Sequence, residues 1–299
     1  NFKHFYVAVY SIKDLEKLSG IKAHTIRIWE QRYKLLSPKR TQTNIRYYLD
    51  DDLKFILNVA LLNKNGYKIS KIAKMEQEEI QEKVKEISEE SFGQETQLDT
   101  LTISMIEMDE YKFDKVVQSS INEKGFEATM LEVINPFLEK LALLWLTGSV
   151  KPAQENFISN LIRQKLISAL NQLPLTQYHD QKKFIIFTPE SDSQELSLLF
   201  IHYLLKSRGQ KVIYLGQNIF PLDAKAAYDV HKPDFVFMLL TEPLPKYPTP
   251  NLLAQTKAIF ADSQVLLSGY EVISKASIAP QNAKILNGLN DTISFLETV

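Results

Sequence analysis

The pattern of apolar residues changes once along this chain of 299 residues, near Lys182, and that change limits the fold more than any other feature. Before it, apolar side chains recur at helical spacing. After it, short continuous apolar runs alternate with helical segments. Phe184–Phe187, Val212–Leu215, Phe235–Leu240 and Val265–Leu267 have the length of strands, and runs that are apolar on both faces suit strands covered on both sides. Leu196–Ser207, Ala224–Val230 and Leu252–Phe260 carry helical period between them. Strand and helix alternating in this way predict a doubly wound parallel sheet of the flavodoxin type.

Upstream of the change two helical regions are legible. Ser11 can cap a first helix that turns Leu15 and Leu18 inward and ends at Gly20. A second helix follows over about Ala23–Tyr33, and Pro38 closes that region. Lys39–Tyr48 is polar and then β-like, as a two-stranded wing would be. Asp50–Asn65 is strongly helical, with Gly66 as its stop, and a further helix begins near Ser70. Residues 76–95 are rich in Glu and Gln and read as a helix end and linker. From about 97 to 173 the helical period continues through Leu101, Phe113, Val117, Ile134, Leu141, Phe157 and Leu166, enough for a bundle of about four helices. The expected architecture is multidomain α and α/β. It comprises a winged helix-turn-helix over 1–76, an acidic linker helix over 77–96, a four-helix bundle over 97–178 and a flavodoxin-like doubly wound parallel sheet over 179–299.

Charge is distributed unevenly between these parts. Residues 1–75 hold 15 Lys and Arg against 6 Asp and Glu, leaving 20 basic and 30 acidic residues for the remainder. A basic head on an acidic body suits a nucleic-acid-binding module on a soluble partner domain. The chain has no cysteine, which excludes disulfides, thiolate catalysis and cysteine-based metal or redox sensing. The five histidines, His4, His24, His179, His202 and His231, are scattered without metal-ligand spacing, so no metal site is expected. No Ser-His-Asp set or glycine-rich phosphate loop appears, so an enzyme is not expected. No apolar run reaches membrane-spanning length, and the first ten residues lack signal-peptide layout. A cytoplasmic protein without a membrane partner is the expectation.

The segment Thr25–Tyr33 (TIRIWEQRY), followed by Leu35–Tyr48, carries the densest information. A helix-turn-helix presents the N-terminal part of its second helix to the major groove, and Lys22, His24, Thr25 and Arg27 lie there. A wing needs cations over flanking phosphates, and Lys39, Arg40, Arg46 and Tyr47 supply them. Arg32, Tyr33 and Asn44 complete the candidate contact set. Ile26 and Trp29 read as core. These residues resemble the MerR family, whose pattern is met by Thr25, Ile26, Arg27, Trp29 and Glu30, then Pro38 and Arg40, then Arg46 and Tyr48. Trp29-Glu30-x-Arg32-Tyr33 is similar to the CarA/CarH/LitR branch. One departure is Lys34, where a glycine is usual; it implies mild strain or a different turn.

The rest of the chain resembles the cobalamin-binding module of the same branch. That resemblance implies a tryptophan and a glutamate–histidine pair over the upper face of the corrin. Here these are Trp145, Glu155 and, in place of the histidine, Asn156. It also implies an acid, a cobalt-binding histidine two residues on and a glycine after the first strand; this chain has Asp192, Gln194 and Ser197. The later small serine is Met238, and a Gly-Gly pair reads Ser268-Gly269. An amide is a poor substitute for imidazole at cobalt, and Met238 would fill space that the nucleotide tail needs.

The expectation is therefore a DNA-binding transcription regulator, with double-stranded promoter DNA and its own copies (dimer or tetramer) as partners and RNA polymerase as an indirect one. The resemblance favours repression. Self-association should run through the bundle or sheet domain. No cofactor is expected, because histidine-ligated cobalamin binding looks lost. Three alternatives stay open: a light- or cobalamin-responsive regulator that holds the cofactor without a lower histidine, a corrinoid-type enzyme or carrier, or a protein-interaction module that modulates another regulator.

Overall fold

Ser11 begins the first helix, α1 (Ile12–Ser19), as its residue type suggests: its side chain accepts from the Asp14 N–H while the Asp14 carboxylate accepts from the Ser11 N–H at 2.8 Å. The structure is a computed structural model and describes residues 10–40, 46–90, 94–146, 150–174, 181–189, 194–244, 247–275 and 279–299. Gly20 closes α1 in the left-handed region, with φ 72°. α2 (Ala23–Tyr33) follows and stops at Lys34, which also lies in the left-handed region, with φ 56° and ψ 30°. The turn that usually takes glycine is thus kept, at a cost of about 1 kcal/mol for a residue with a Cβ.

β1 (Lys39–Arg40) and β2 (Arg46–Tyr47) pair antiparallel as a short wing. Tyr10 and Tyr48 exchange two backbone hydrogen bonds of 2.9 Å beside it. α3 (Asp50–Lys64) buries Leu53, Ile56, Leu57, Ala60 and Leu61. After α4 (Ile69–Ile72) comes α5 (Gln77–Glu90), where the composition suggested a linker. It packs on α3 instead, with Ile80 and Val84 one turn apart and buried.

The bundle consists of α6 (Gln94–Glu107), α7 (Glu110–Lys124), α8 (Phe126–Thr129) running into α9 (Asn135–Leu146), and α10 (Pro152–Gln172). A π-helical turn, Met130–Ile134, joins α8 to α9. Its position has a cause. The ring of Pro136 would meet the carbonyl of Glu132 in a regular α-helix, and a wider turn relieves that clash. Asp99 on α6 is bracketed by Lys64 of α3 at 2.6 Å and Lys140 of α9 at 3.2 Å, which ties the third head helix to the bundle. The chain divides into two compact units, and the division falls inside α10, between Leu161 and Ile162.

The second unit contains β3 (Lys183–Phe187), α11 (Glu195–Ser207), β4 (Lys211–Gly216), α12 (Pro221–His231), β5 (Phe235–Leu239), α13 (Thr249–Ile259), β6 (Gln264–Ser268), α14 (Tyr270–Ile273), β7 (Ala283–Leu286) and α15 (Leu289–Leu296). All strand pairs are parallel, in the order β4-β3-β5-β6-β7. That is the flavodoxin-like winding, with the switch point beside β3. Four of its strands lie where the apolar runs placed them; β7 is additional. Ile185, Phe187, Val236, Met238, Val265 and Leu267 form one core with Tyr228, Leu252 and Phe260 of the covering helices. The alternate residues Phe184 and Phe235 stack at 4.7 Å on the opposite face, with Phe295 of α15 edge-on to Phe235. Each fully buried aromatic or aliphatic side chain here contributes about 2 kcal/mol. No helix among the described residues is long and apolar enough to cross a membrane.

Candidate nucleic-acid interface and ligand scaffold

α2 owes its placement to one carboxylate. Glu16, on α1, accepts from the Ala23 N–H at 3.1 Å and so caps α2 across the turn. It also pairs with Lys22 at 3.3 Å. The backbone donor, with Lys22 second, holds the Glu16 carboxyl below its usual range. The sequence reading did not single out Glu16; the signal was a Glu seven residues ahead of a helix start that has no side-chain cap of its own.

Beyond that cap, α2 turns Ile26 and Trp29 into the core, as expected, and exposes Lys22, His24, Arg27 and Arg32. Thr25 is half-buried, with its hydroxyl 3.3 Å from the His24 ring. Arg32 lies over the half-buried Tyr33 ring, 5.5 Å from its centroid. Ile28 is 49% exposed on the same helix, a large apolar residue among cations that sequence reasoning passed over.

The wing is bound to α2 through Glu30. This glutamate is buried, accepts a short hydrogen bond from the Tyr48 hydroxyl, and has the Arg46 Nε 3.5 Å from its second oxygen. The Arg46 Nε is close enough to pair charges but makes no hydrogen bond. Burial first, and then Glu30, pushes the Tyr48 hydroxyl well above the usual phenol range. Arg46 therefore differs from a purely solvated wing cation: its guanidinium is partly committed to an internal anion. Across the wing Lys39 faces Tyr47 and Arg40 faces Arg46. Like charges directly opposite each other cost stability. Lys39 and Arg40 are exposed, Tyr47 is half-buried, and Asn44 lies outside the described residues.

The residues expected at a ligand fall in both units. Trp145 lies on α9; Glu155 and Asn156 lie in the first turn of α10, half-buried and exposed respectively. Their neighbour Gln154 is buried and donates to the Ile106 carbonyl of α6 at 3.2 Å while accepting from the Lys151 N–H at 3.0 Å. It fixes the start of α10 and was not foreseen. In the second unit Gln194 stands just before α11, and Asp192 lies outside the described residues. Glu195 pairs with Arg163 of α10. Met238 has no exposed surface and lies in the core described above. The Ser268 hydroxyl donates to the Leu286 carbonyl at 3.0 Å. Gly269 follows with φ 105°, and a Cβ there would stand 2.2 Å from the Leu240 carbonyl oxygen, so only glycine can occupy it. Among the described residues no group of three or more His, Asp or Glu is placed to hold a metal ion.

Residues 10–79 match the family model described as MerR HTH family regulatory protein. Over those residues the head is similar to the MerR helix-turn-helix family. Residues 97–168 match a second model, the B12 binding domain. The chain is 28% identical to the HTH-type transcriptional repressor CarH of Myxococcus xanthus over 237 residues, 76% of this chain and 77% of that one. It is 26% identical to the HTH-type transcriptional repressor CarA of the same organism, over 75% of this chain and 74% of that one. Among solved structures it is similar to the monomethylamine corrinoid protein of Methanosarcina barkeri, with a TM-score of 0.54 and 11% identity over 69% of this chain and all of that one; at that identity the likeness is one of fold. A MerR head followed by a B12-binding-type helical domain and a parallel sheet is the make-up of a CarA/CarH-type MerR regulator.

Proposed function

We propose that this chain is a DNA-binding transcription regulator, acting as a repressor, whose body sets its oligomeric state and does not take cobalamin through a histidine. The pairing of Arg40 with Arg46 across the wing carries the first part. With Lys39 beside them, these two arginines gather positive charge on the wing, and such a cluster gains from a bound polyanion. α2, capped by Glu16, then enters the major groove, with His24 and Arg27 toward base edges and Ile28 toward a thymine methyl. Lys39 and Arg40 hold the flanking phosphates. The names of the similar CarH and CarA proteins support repression.

The second part rests on what fills the expected site. Gln194 has no imidazole for cobalt, Met238 is packed among core side chains, and the Ser268 hydroxyl is bonded to its own chain. These residues do not fit a histidine-ligated corrin with an inserted nucleotide tail. A corrinoid carrier would need the missing histidine as well. The match to the B12 binding domain over 97–168 favours a second reading, in which the helical domain still holds cobalamin without a protein ligand on cobalt.

Two measurements test this. Fluorescence anisotropy with a labelled duplex from upstream of the chain's own coding sequence should show affinity that falls steeply with salt. A scrambled duplex should bind more weakly, and Arg27→Ala should remove much of the difference. Equal binding of both duplexes would sink the regulator reading. Size-exclusion chromatography with light scattering, with adenosylcobalamin in the dark, should give a colourless peak of unchanged mass. A corrin spectrum under the protein peak would establish the second reading instead.

A further inference from the structure

Within the first unit, α3, α5 and the α6–α7 corner line a half-open cavity of about 580 Å³ that the DNA interface does not use. Its lining is unusual for a space between packed helices. α3 presents Asp51, Lys54 and Asn58, spaced so that all three share one stripe. α5 faces them with Gln77 and Gln81, one turn apart, and only Val84 is apolar on that side. The α6–α7 corner adds Glu107, Asp109 and Lys112, where Lys112 pairs with both acids. Tyr111 and Lys115 of α7 complete the lining, so that the corner carries two acids and two lysines.

Asn58 is the group that points to a ligand. It is 6% exposed and lines the cavity, and its Oδ1 accepts no hydrogen bond. A buried acceptor without a donor is costly, and one that faces an open polar space is placed to receive a donor from outside the chain. Lys54, one turn away, makes no ion pair among the described residues. The site therefore offers an unfilled acceptor together with the Glu107 carboxylate and, beside Asn58, a cation with two amides opposite.

We propose that this cavity binds a small zwitterion of free-amino-acid to dipeptide size. Its ammonium meets Asn58 Oδ1 and the Glu107 side of the corner, and its carboxylate meets Lys54 and the amides of Gln77 and Gln81. The volume suits a small molecule, and the amides and charged side chains along the walls favour a polar one over a hydrophobic drug. A ligand there would touch α3 of the head and the start of α7 together, so its binding would reinforce the contact between head and bundle.

The test is thermal unfolding of the full chain with the common L-amino acids and glycylglycine, beside putrescine and succinate as the two half-charges. At least one zwitterion at about 10 mM should raise Tm by about 2–5 °C. Putrescine and succinate should not. Lys54 is half-buried, and Lys54→Gln keeps its length and polarity while removing its charge, so it should abolish the shift; Asn58→Leu, which removes the orphaned acceptor, should abolish it too. The proposal is overturned if no zwitterion shifts Tm, if the half-charges act equally, or if the shift survives Lys54→Gln.

Discussion

Glu30 and Tyr48 are eighteen residues apart in the sequence, yet their hydrogen bond and the Arg46 charge beside it form one buried unit. The Glu of the α2 motif and the Arg and Tyr of the wing motif are therefore partners, which a linear reading of the motif does not reveal. Tyr48→Phe would leave the buried Glu30 carboxylate with Arg46 alone, without its hydroxyl donor. The expected loss is about 1–3 kcal/mol in urea unfolding, with little change in the folded secondary structure by circular dichroism. Lys34 makes the opposite case. The sequence marked it as a departure, and the left-handed φ of 56° explains why. Lys34→Gly should stabilise the head by about 0.5–1 kcal/mol, net of the entropy that glycine adds to the unfolded chain. Destabilisation by this change would mean that the turn is not left-handed.

At the scale of elements, legibility followed how local the cause is. α2 begins and ends where the periodicity put it, because its apolar stripe and its turn are both local. The four central strands were legible because burial on both faces makes them continuous apolar runs. β7 was not: at the sheet edge Ala283 and Ile285 are only partly covered, Leu286 alone of its four residues is buried, and the exposed Lys284 interrupts the apolar run. α5 was legible as an acidic linker helix, but its packing on α3 was not, because only Ile80 and Val84 mark the packed side. Glu16, Gln154 and Asn58 were missed for another reason, since each acts on a group distant in sequence or on an enclosed space. The link from β6 to α14 shows how strictly one such contact constrains an element. Gly269→Ala would drive a Cβ into the Leu240 carbonyl at 2.2 Å, in a backbone region that disfavours side chains. A loss of about 3 kcal/mol or more is expected in urea unfolding, with the damage confined to the second unit.

For the molecule as a whole, two compact units need not unfold together. Acid should separate them. His202 on α11 stacks on Tyr214 at 5.0 Å, and burial, with Lys206 as a second cause, lowers its pKa from 6.5 to about 4. The folded imidazole stays neutral while the unfolded one takes up a proton. Its contribution is thus complete above about pH 6.5 and is lost as pH falls toward about 4. Urea unfolding followed by hydrogen exchange across that window should show the second unit weakening first. His202→Gln should flatten the dependence; an unchanged slope in that variant would assign the effect to another group.

The internal anion beside the wing also bears on affinity. A long arginine in water samples many rotamers, and a phosphate that captures it must meet the cost of ordering it. Glu30 imposes that order on Arg46 during folding, before any DNA arrives. On the proposed DNA-binding reading, a guanidinium paired beforehand with Glu30 would have less conformational entropy to lose when its other N–H groups meet the backbone of a duplex.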